Sequence, residues 1–131
     1  MAKLLESGEN YLETILILSQ KGKGVRSVDV AEEMGFSKPS ISRAMKILKS
    51  GGYIDIDEKG YISLTDSGYY RADKIYERHR VITRFFEKIG VSEAQAATDA
   101  CRIEHVISDE SFECLKKHMR EITHIPDSEE K

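Results

Sequence analysis

The sequence predicts a mainly α protein carrying one small β-hairpin, and three observations support that prediction. Apolar residues recur at three- and four-residue spacing through most of its 131 residues. Two helical stretches, 27–34 and 37–50, are bounded by serines and glycines where helices start and stop. Between residues 53 and 65 the period changes to two, in "YIDIDE" and "YISLT" around a Lys–Gly turn.

Each element has a local cause. Residues 4–21 place Leu5, Leu12, Ile15, Leu16 and Leu18 at helical spacing and end near the "KGKG" turn. "SVDVAEEMGF" reads as a short helix with Ser27 as N-cap, Val28, Val30, Ala31 and Met34 inward, and Gly35 as terminator. The next helix opens with Ser37 as N-cap and Pro39 in the first turn, where a missing N–H is harmless. Ile41, Met45 (or Ala44) and Leu48 form its inner stripe, and Gly51–Gly52 close it. After the hairpin, Thr65–Asp66 start a long helical pattern through "YYRADKIYERHRVITRFFEKIG". Two more helices fit 92–107 and 109–124, before the polar tail "PDSEEK".

Composition narrows the function classes. Hydrophobic residues at 40% and charged residues at 33% describe a soluble globular chain, of one domain or two small ones. No apolar run would span a bilayer, and Glu6, Glu9 and Glu13 interrupt the N-terminal apolar patch, unlike a secretory signal. A cytoplasmic protein is expected, with Cys101 and Cys114 as reduced thiols. The sequence holds no His-Glu-x-x-His, no glycine-rich phosphate loop and no nucleophile–base pair, so an enzyme is not expected.

The net charge of −3 hides an asymmetry. Residues 1–91 carry 15 Lys/Arg against 13 Asp/Glu, and residues 92–131 carry 5 against 10. Residues 34–54 hold Lys38, Arg43, Lys46 and Lys49 and no acid. The order helix, short helix, turn, second helix, hairpin is that of a winged helix-turn-helix. Its second helix would project Lys38, Ser40, Ser42, Arg43, Lys46 and Lys49 away from the inner stripe, as a major-groove reader does. Ser37 and Ser40 are short hydroxyls able to meet phosphate at a helix N-terminus. Arg43 is the side chain able to pair bidentately with a guanine edge. The hairpin, carrying Asp55, Asp57 and Glu58, suits phosphate only at its Lys59 tip.

The stretch "CRIEHVIS", 101–108, carries the second kind of chemistry. Cys101, Glu104 and His105 stand at i, i+3 and i+4, which makes them neighbours on one helix face. All three are good metal ligands. Taken alone, the triplet also fits a plain helix that exposes a charged pair and buries a cysteine, with Ile103 and Val106–Ile107 as apolar contacts.

With "VDVAEEMGFSKPSISRAMKIL", "YIDIDEKGYISLTDSG", "ERHRVITRFFEKIGV" and "ACRIEHVISDE" in this order, the chain resembles the diphtheria toxin repressor and manganese transport regulator family over about residues 5–120. The resemblance implies a metal-activated transcriptional repressor of metal homeostasis genes that binds a double-stranded DNA operator as a homodimer. It implies a winged helix-turn-helix domain over 1–72, a helical dimerisation and metal-binding domain over 73–131, and the short form without an SH3-like third domain. Carried over by position, it adds Asn10, Glu13 and His79 to Cys101, Glu104 and His105 as metal ligands. Cys101 matches the iron-type members, and Glu13 the carboxylate of the manganese type. Asn10 departs from both, which have Asp and Met there, but keeps a carbonyl oxygen donor. Thr83 and Ala97 replace the Glu and His of the iron-type second site.

The implied cofactor is a divalent transition metal, Mn(II) or Fe(II), with Zn(II) admitted by the thiolate. The ligands would come from three helices, which a cation would tie together. The rival reading is a metal-independent winged-helix regulator sensing an organic ligand or thiol oxidation at Cys101. His118 and His124 are expected at the surface and Cys114 as a packed thiol.

Overall fold

The structure, a computed structural model, describes residues 6–123; Leu5, His124 and the tail "PDSEEK" lie outside the described residues. It divides into two compact units, Met1–Ile75 and Tyr76–Lys131. The first holds α1 (Glu6–Ser19), β1 (Val25–Arg26), α2 (Ser27–Met34), α3 (Lys38–Ser50), β2 (Ile54–Ile56), β3 (Tyr61–Leu64) and the start of α4 (Asp66–Lys88). The second holds the rest of α4, then α5 (Glu93–Ile103) and α6 (Asp109–Thr123). No described helix is long and apolar enough to cross a membrane.

In the first unit the helical stripes become a core of Leu12, Ile15, Leu16, Val30, Ala31, Ile41, Met45 and Leu48, capped by Tyr53, Ile54 and Ile62 of the hairpin. Burying one such aliphatic side chain is worth about 1.5–3 kcal/mol, against about 1 kcal/mol for a helix cap, so the stripe sets where α3 sits and the cap sets where it begins. Ser37 is that cap, its hydroxyl accepting from the Ser40 N–H at 3.3 Å, with Pro39 in the first turn. Gly52, at φ 82°, turns the chain out of the helix.

Four local expectations need correction. Arg26, not Ser27, is the N-cap of α2: the Asp29 carboxylate accepts the Arg26 N–H at 2.8 Å, and the helix starts at Ser27, one residue earlier than expected. Val28 stands exposed, since Val30 and Ala31 already fill the inner side of a helix of only 8 residues. The first helix ends at Ser19, because the Lys21 and Gly22 N–H groups bond to Leu18 and Ser19 carbonyls in a tighter turn. The sheet has a third strand, β1, which pairs antiparallel with β3 (Val25 opposite Ile62) to give the order β1–β3–β2. Two residues show no periodicity, so only this pairing identifies them.

The hairpin pairs Ile54 with Leu64 and Ile56 with Ile62. Its tip is closed by Asp57, whose Oδ1 accepts from the N–H groups of Lys59 and Tyr61 at 2.9 and 2.8 Å. Arg26 braces it, donating to the Lys59 carbonyl at 2.5 Å and lying 5.2 Å from the Tyr61 ring centre. Thr65 then joins hairpin to helix: its hydroxyl donates to the Gly52 carbonyl at 2.6 Å and accepts from the Gly68 N–H at 3.1 Å. At Gly68 an added Cβ would lie 1.9 Å from the Tyr53 carbonyl oxygen, so this close approach requires glycine.

The second unit has its own core of Val81, Ile82, Ala100, Phe112 and Met119, flanked by Phe85, Phe86, Ile103, Ile107 and Leu115. Helix α5 ends at Ile103, four residues short of the predicted 107. The Val106 and Ile107 N–H groups both bond to the Ile103 carbonyl, which converts residues 104–107 into a turn. Ser108 then caps α6, accepting from the Ser111 N–H at 3.0 Å. Val106 is 76% exposed rather than packed, because that turn aims it outward.

Candidate metal centre and nucleic-acid interface

On α3 the side chains divide as helical geometry requires. Ile41, Met45 and Leu48 are at most 2% exposed. Lys38, Pro39, Ser42, Arg43, Lys46 and Lys49 are all exposed, and Ser40 is half-buried. Ser37 is exposed, and its hydroxyl is engaged with its own helix, donating to Ser40 Oγ at 2.9 Å while capping. Its work is to fix the first turn, where Pro39 has no N–H and the Ser40 N–H is taken by the cap. One exposed residue was not among those expected: Ile47 is 70% exposed, one helical turn beyond Arg43. The spacing i+4 from Arg43 is the signal that could have found it.

The second constellation lies in the turn after α5. Glu104 is fully buried, a carboxylate with 0% exposure. Its Oε1 lies 2.9 Å from His79 Nδ1 of α4. His105, whose side chain is 1% exposed, places Nε2 at 3.5 Å from the other carboxylate oxygen, in ion-pair range without forming a hydrogen bond. Glu104 Oε2 is thus a buried acceptor lacking a hydrogen-bond partner among the described residues. Burying a carboxylate costs several kcal/mol unless a cation or a full set of donors compensates it. A buried carboxylate with one oxygen lacking a hydrogen-bond partner, met on its other oxygen by the His79 imidazole, offers oxygen and nitrogen donors of the types that suit a divalent transition metal. The residues present therefore fit such an ion.

Of the other expected ligands, Cys101 is exposed at the last turn of α5. It does not share a continuous helix face with Glu104 and His105, since α5 stops between them. The one-face geometry is corrected accordingly: Glu104 is the C-cap residue and His105 belongs to the turn. Glu13 is 9% exposed on α1 and Asn10 half-buried. His118 is exposed, and so is Cys114, which was expected to be packed; Phe112, Leu115 and Met119 occupy the inner face of α6 instead. Nothing in sequence spacing pointed to Arg78, a 6%-exposed arginine next to His79. Its partners lie 26 to 31 residues away.

Known proteins resemble the chain along its whole length. The family pattern described as "Iron dependent repressor, N-terminal DNA binding domain" matches residues 3–62. That described as "Iron dependent repressor, metal binding and dimerisation domain" matches residues 65–131. An HTH-type transcriptional regulator of Methanocaldococcus jannaschii is 32% identical over 116 residues, covering 87% of this chain and 93% of that protein. The transcriptional regulator MntR of Escherichia coli is 31% identical over 108 residues, 82% of this chain and 70% of MntR. Among solved structures, the manganese regulator SloR superposes with a TM-score of 0.78 at 28% identity, over 86% of this chain. The chain spans 53% of that protein's length.

Proposed function

The chain belongs to the iron-dependent repressor family, and from that premise we propose that it is a metal-activated transcriptional repressor controlling manganese or iron homeostasis genes. The observation that carries the reading is the buried Glu104 carboxylate between His79 and His105, with one oxygen lacking a hydrogen-bond partner. His79, Glu104 and His105 would hold the ion, and Cys101 would add a thiolate. Asn10 and Glu13 of α1 are proposed as further donors. When bound, the cation supplies the charge that compensates Glu104 and makes one conformation of the chain the favoured one.

Residues 1–72 are proposed as the DNA-reading domain and 73–131 as the dimerisation and metal-binding domain. In the reader, Lys38, Lys46 and the N-terminal turn at Ser37, Pro39 and Ser40 contact phosphate, with Ser42 beside them. Arg43 pairs with a guanine edge, and the exposed Ile47 suits a thymine methyl. The partner is a double-stranded operator, and the active species is a homodimer with reading helices about one DNA turn apart, ~34 Å, or a multiple of it. Ile89 and Val106, 63% and 76% exposed in the second unit, support an apolar dimer face. A cytoplasmic location follows from the role.

The test is binding to the DNA upstream of the protein's own gene, titrated separately with Mn(II), Fe(II) and Zn(II) under reducing conditions. Metal-dependent binding is expected. Equal binding in chelator would overturn the metal reading and favour the rival one, a thiol sensor at Cys101, which that residue's exposure supports. Oxidant would then change affinity in the wild type and not in Cys101→Ser.

A further inference from the structure

The residue before His79 makes an unusual set of contacts for a buried arginine. Arg78 Nη1 donates to the Glu104 carbonyl at 3.1 Å and to the Ile107 carbonyl at 2.8 Å. Nη2 donates to the Asp109 carboxylate, and the guanidinium lies 5.4 Å from the Phe112 ring centre. Its side chain is only 8% exposed, whereas that of Asp109 is 72% exposed. The two carbonyls come from the end of α5 and the turn after it, where backbone acceptors lack intrahelical donors. A planar guanidinium can engage both and still reach a carboxylate; an ammonium has no such fork.

The consequence is geometric. Arg78 and His79 are consecutive on α4, so their positions are locked together. Arg78 holds the Glu104 backbone, and His79 meets the Glu104 side chain at 2.9 Å. The carboxylate is therefore located from both ends by one turn of α4, and His105, the next residue, is carried with it. We propose that Arg78 is a positioning residue for the metal donors, holding the 104–109 turn in binding geometry before any ion arrives. This rests on the metal reading above and adds to it a dependence of ion affinity, beyond fold stability, on a residue that touches no ion. Supporting groups around metal ligands characteristically set affinity by 10–100-fold.

The experiment compares the full-length wild type with Arg78→Lys, Asp109→Asn and Ile82→Val. Mn(II) affinity is read from the free-ion electron paramagnetic resonance signal, donor geometry from the visible spectrum of bound Co(II), and stability from thermal unfolding of the metal-free protein. Arg78→Lys is expected to weaken Mn(II) binding about tenfold and to alter the Co(II) bands at saturation. Asp109→Asn, a change at an exposed side chain that weakens its pairing with Arg78, should shift affinity the same way by less. Ile82→Val, a core change within 1%-exposed packing, should lower the melting temperature and move neither metal readout. If Arg78→Lys and Asp109→Asn bind Mn(II) like the wild type with unchanged Co(II) bands, Arg78 is only structural and the proposal is wrong. If the wild type itself binds neither ion, the metal reading fails and takes this one with it.

Discussion

Helix α3 and the turn at 104–109, the proposed DNA-reading and metal-binding regions, are built in opposite ways. On α3 the proposed DNA-contacting side chains point into solvent from a helix held by three buried residues, Ile41, Met45 and Leu48. In the turn the proposed ligand is itself buried: Glu104 is 0% exposed, and residues from α4 hold it by its backbone and its side chain. The first arrangement should tolerate change, because on the proposed reading each exposed residue would answer to DNA alone. In the second, affinity, geometry and stability are coupled through the same few atoms.

The sharpest way to break this contrast is Glu104→Gln, which keeps the shape and removes the charge. Metal affinity should fall more than about 100-fold, beyond the range of supporting groups. The metal-free protein should melt a few degrees higher, because a buried charge has been removed. Calorimetric metal titration and thermal unfolding read the two effects. A parallel loss of both would mean that Glu104 is a structural acid.

Arg43→Ala should weaken binding to the preferred operator by about 1–3 kcal/mol and relax preference at one base position, without altering stability. Lys46→Ala should weaken all duplexes alike and reduce the salt slope by about one per protomer. Gel-shift titrations at several salt concentrations separate the two. Any change in metal affinity in either variant would break the independence claimed for α3.

Cys101→Ala should raise the metal concentration for half-maximal operator binding by about tenfold, a smaller effect than Glu104→Gln because this donor is exposed. Cys101→Glu should shift activation toward Mn(II) relative to Zn(II), since it replaces a soft donor with a hard one. Cys114→Ala is the control and should change neither.

The smallest effect is expected at Ile47. Replacing the operator's thymines singly with uracil should cost the wild type about 1 kcal/mol at one position, the value of a buried methyl, and cost Ile47→Ala nothing there. Equal losses in both proteins would remove Ile47 from the reading face.

These regions also differ in how far they could be read beforehand. Ser37 as cap, Pro39 in the first turn and the Ile41–Met45–Leu48 stripe are relations between residues three or four apart, and all stand in the structure as the sequence implies. So does the hairpin, whose period and turn are equally local. Misreadings fell mostly where a neighbour elsewhere decided the outcome. Strand β1 exists because β3 lies beside it; the Arg26 cap, set by Asp29 three residues on, is a local relation that was missed because arginine is not among the usual cap residues. Cys101, Glu104 and His105 were legible as metal-binding types, but their sharing of one helix face was not preserved, because α5 ends at Ile103.

By itself, then, the sequence determined helix α3, its start, its buried stripe and its basic outward face, because helix period and capping act within a turn or two of chain. It determined which residue types stand at 104 and 105. Only the tertiary structure decided that Glu104 is buried, that its carboxylate meets His79 from 25 residues away, and that Arg78 grips the turn carrying it. The reason is energetic. A carboxylate on a helix end is ordinarily best left in water, and only donors supplied by another helix make its burial tolerable.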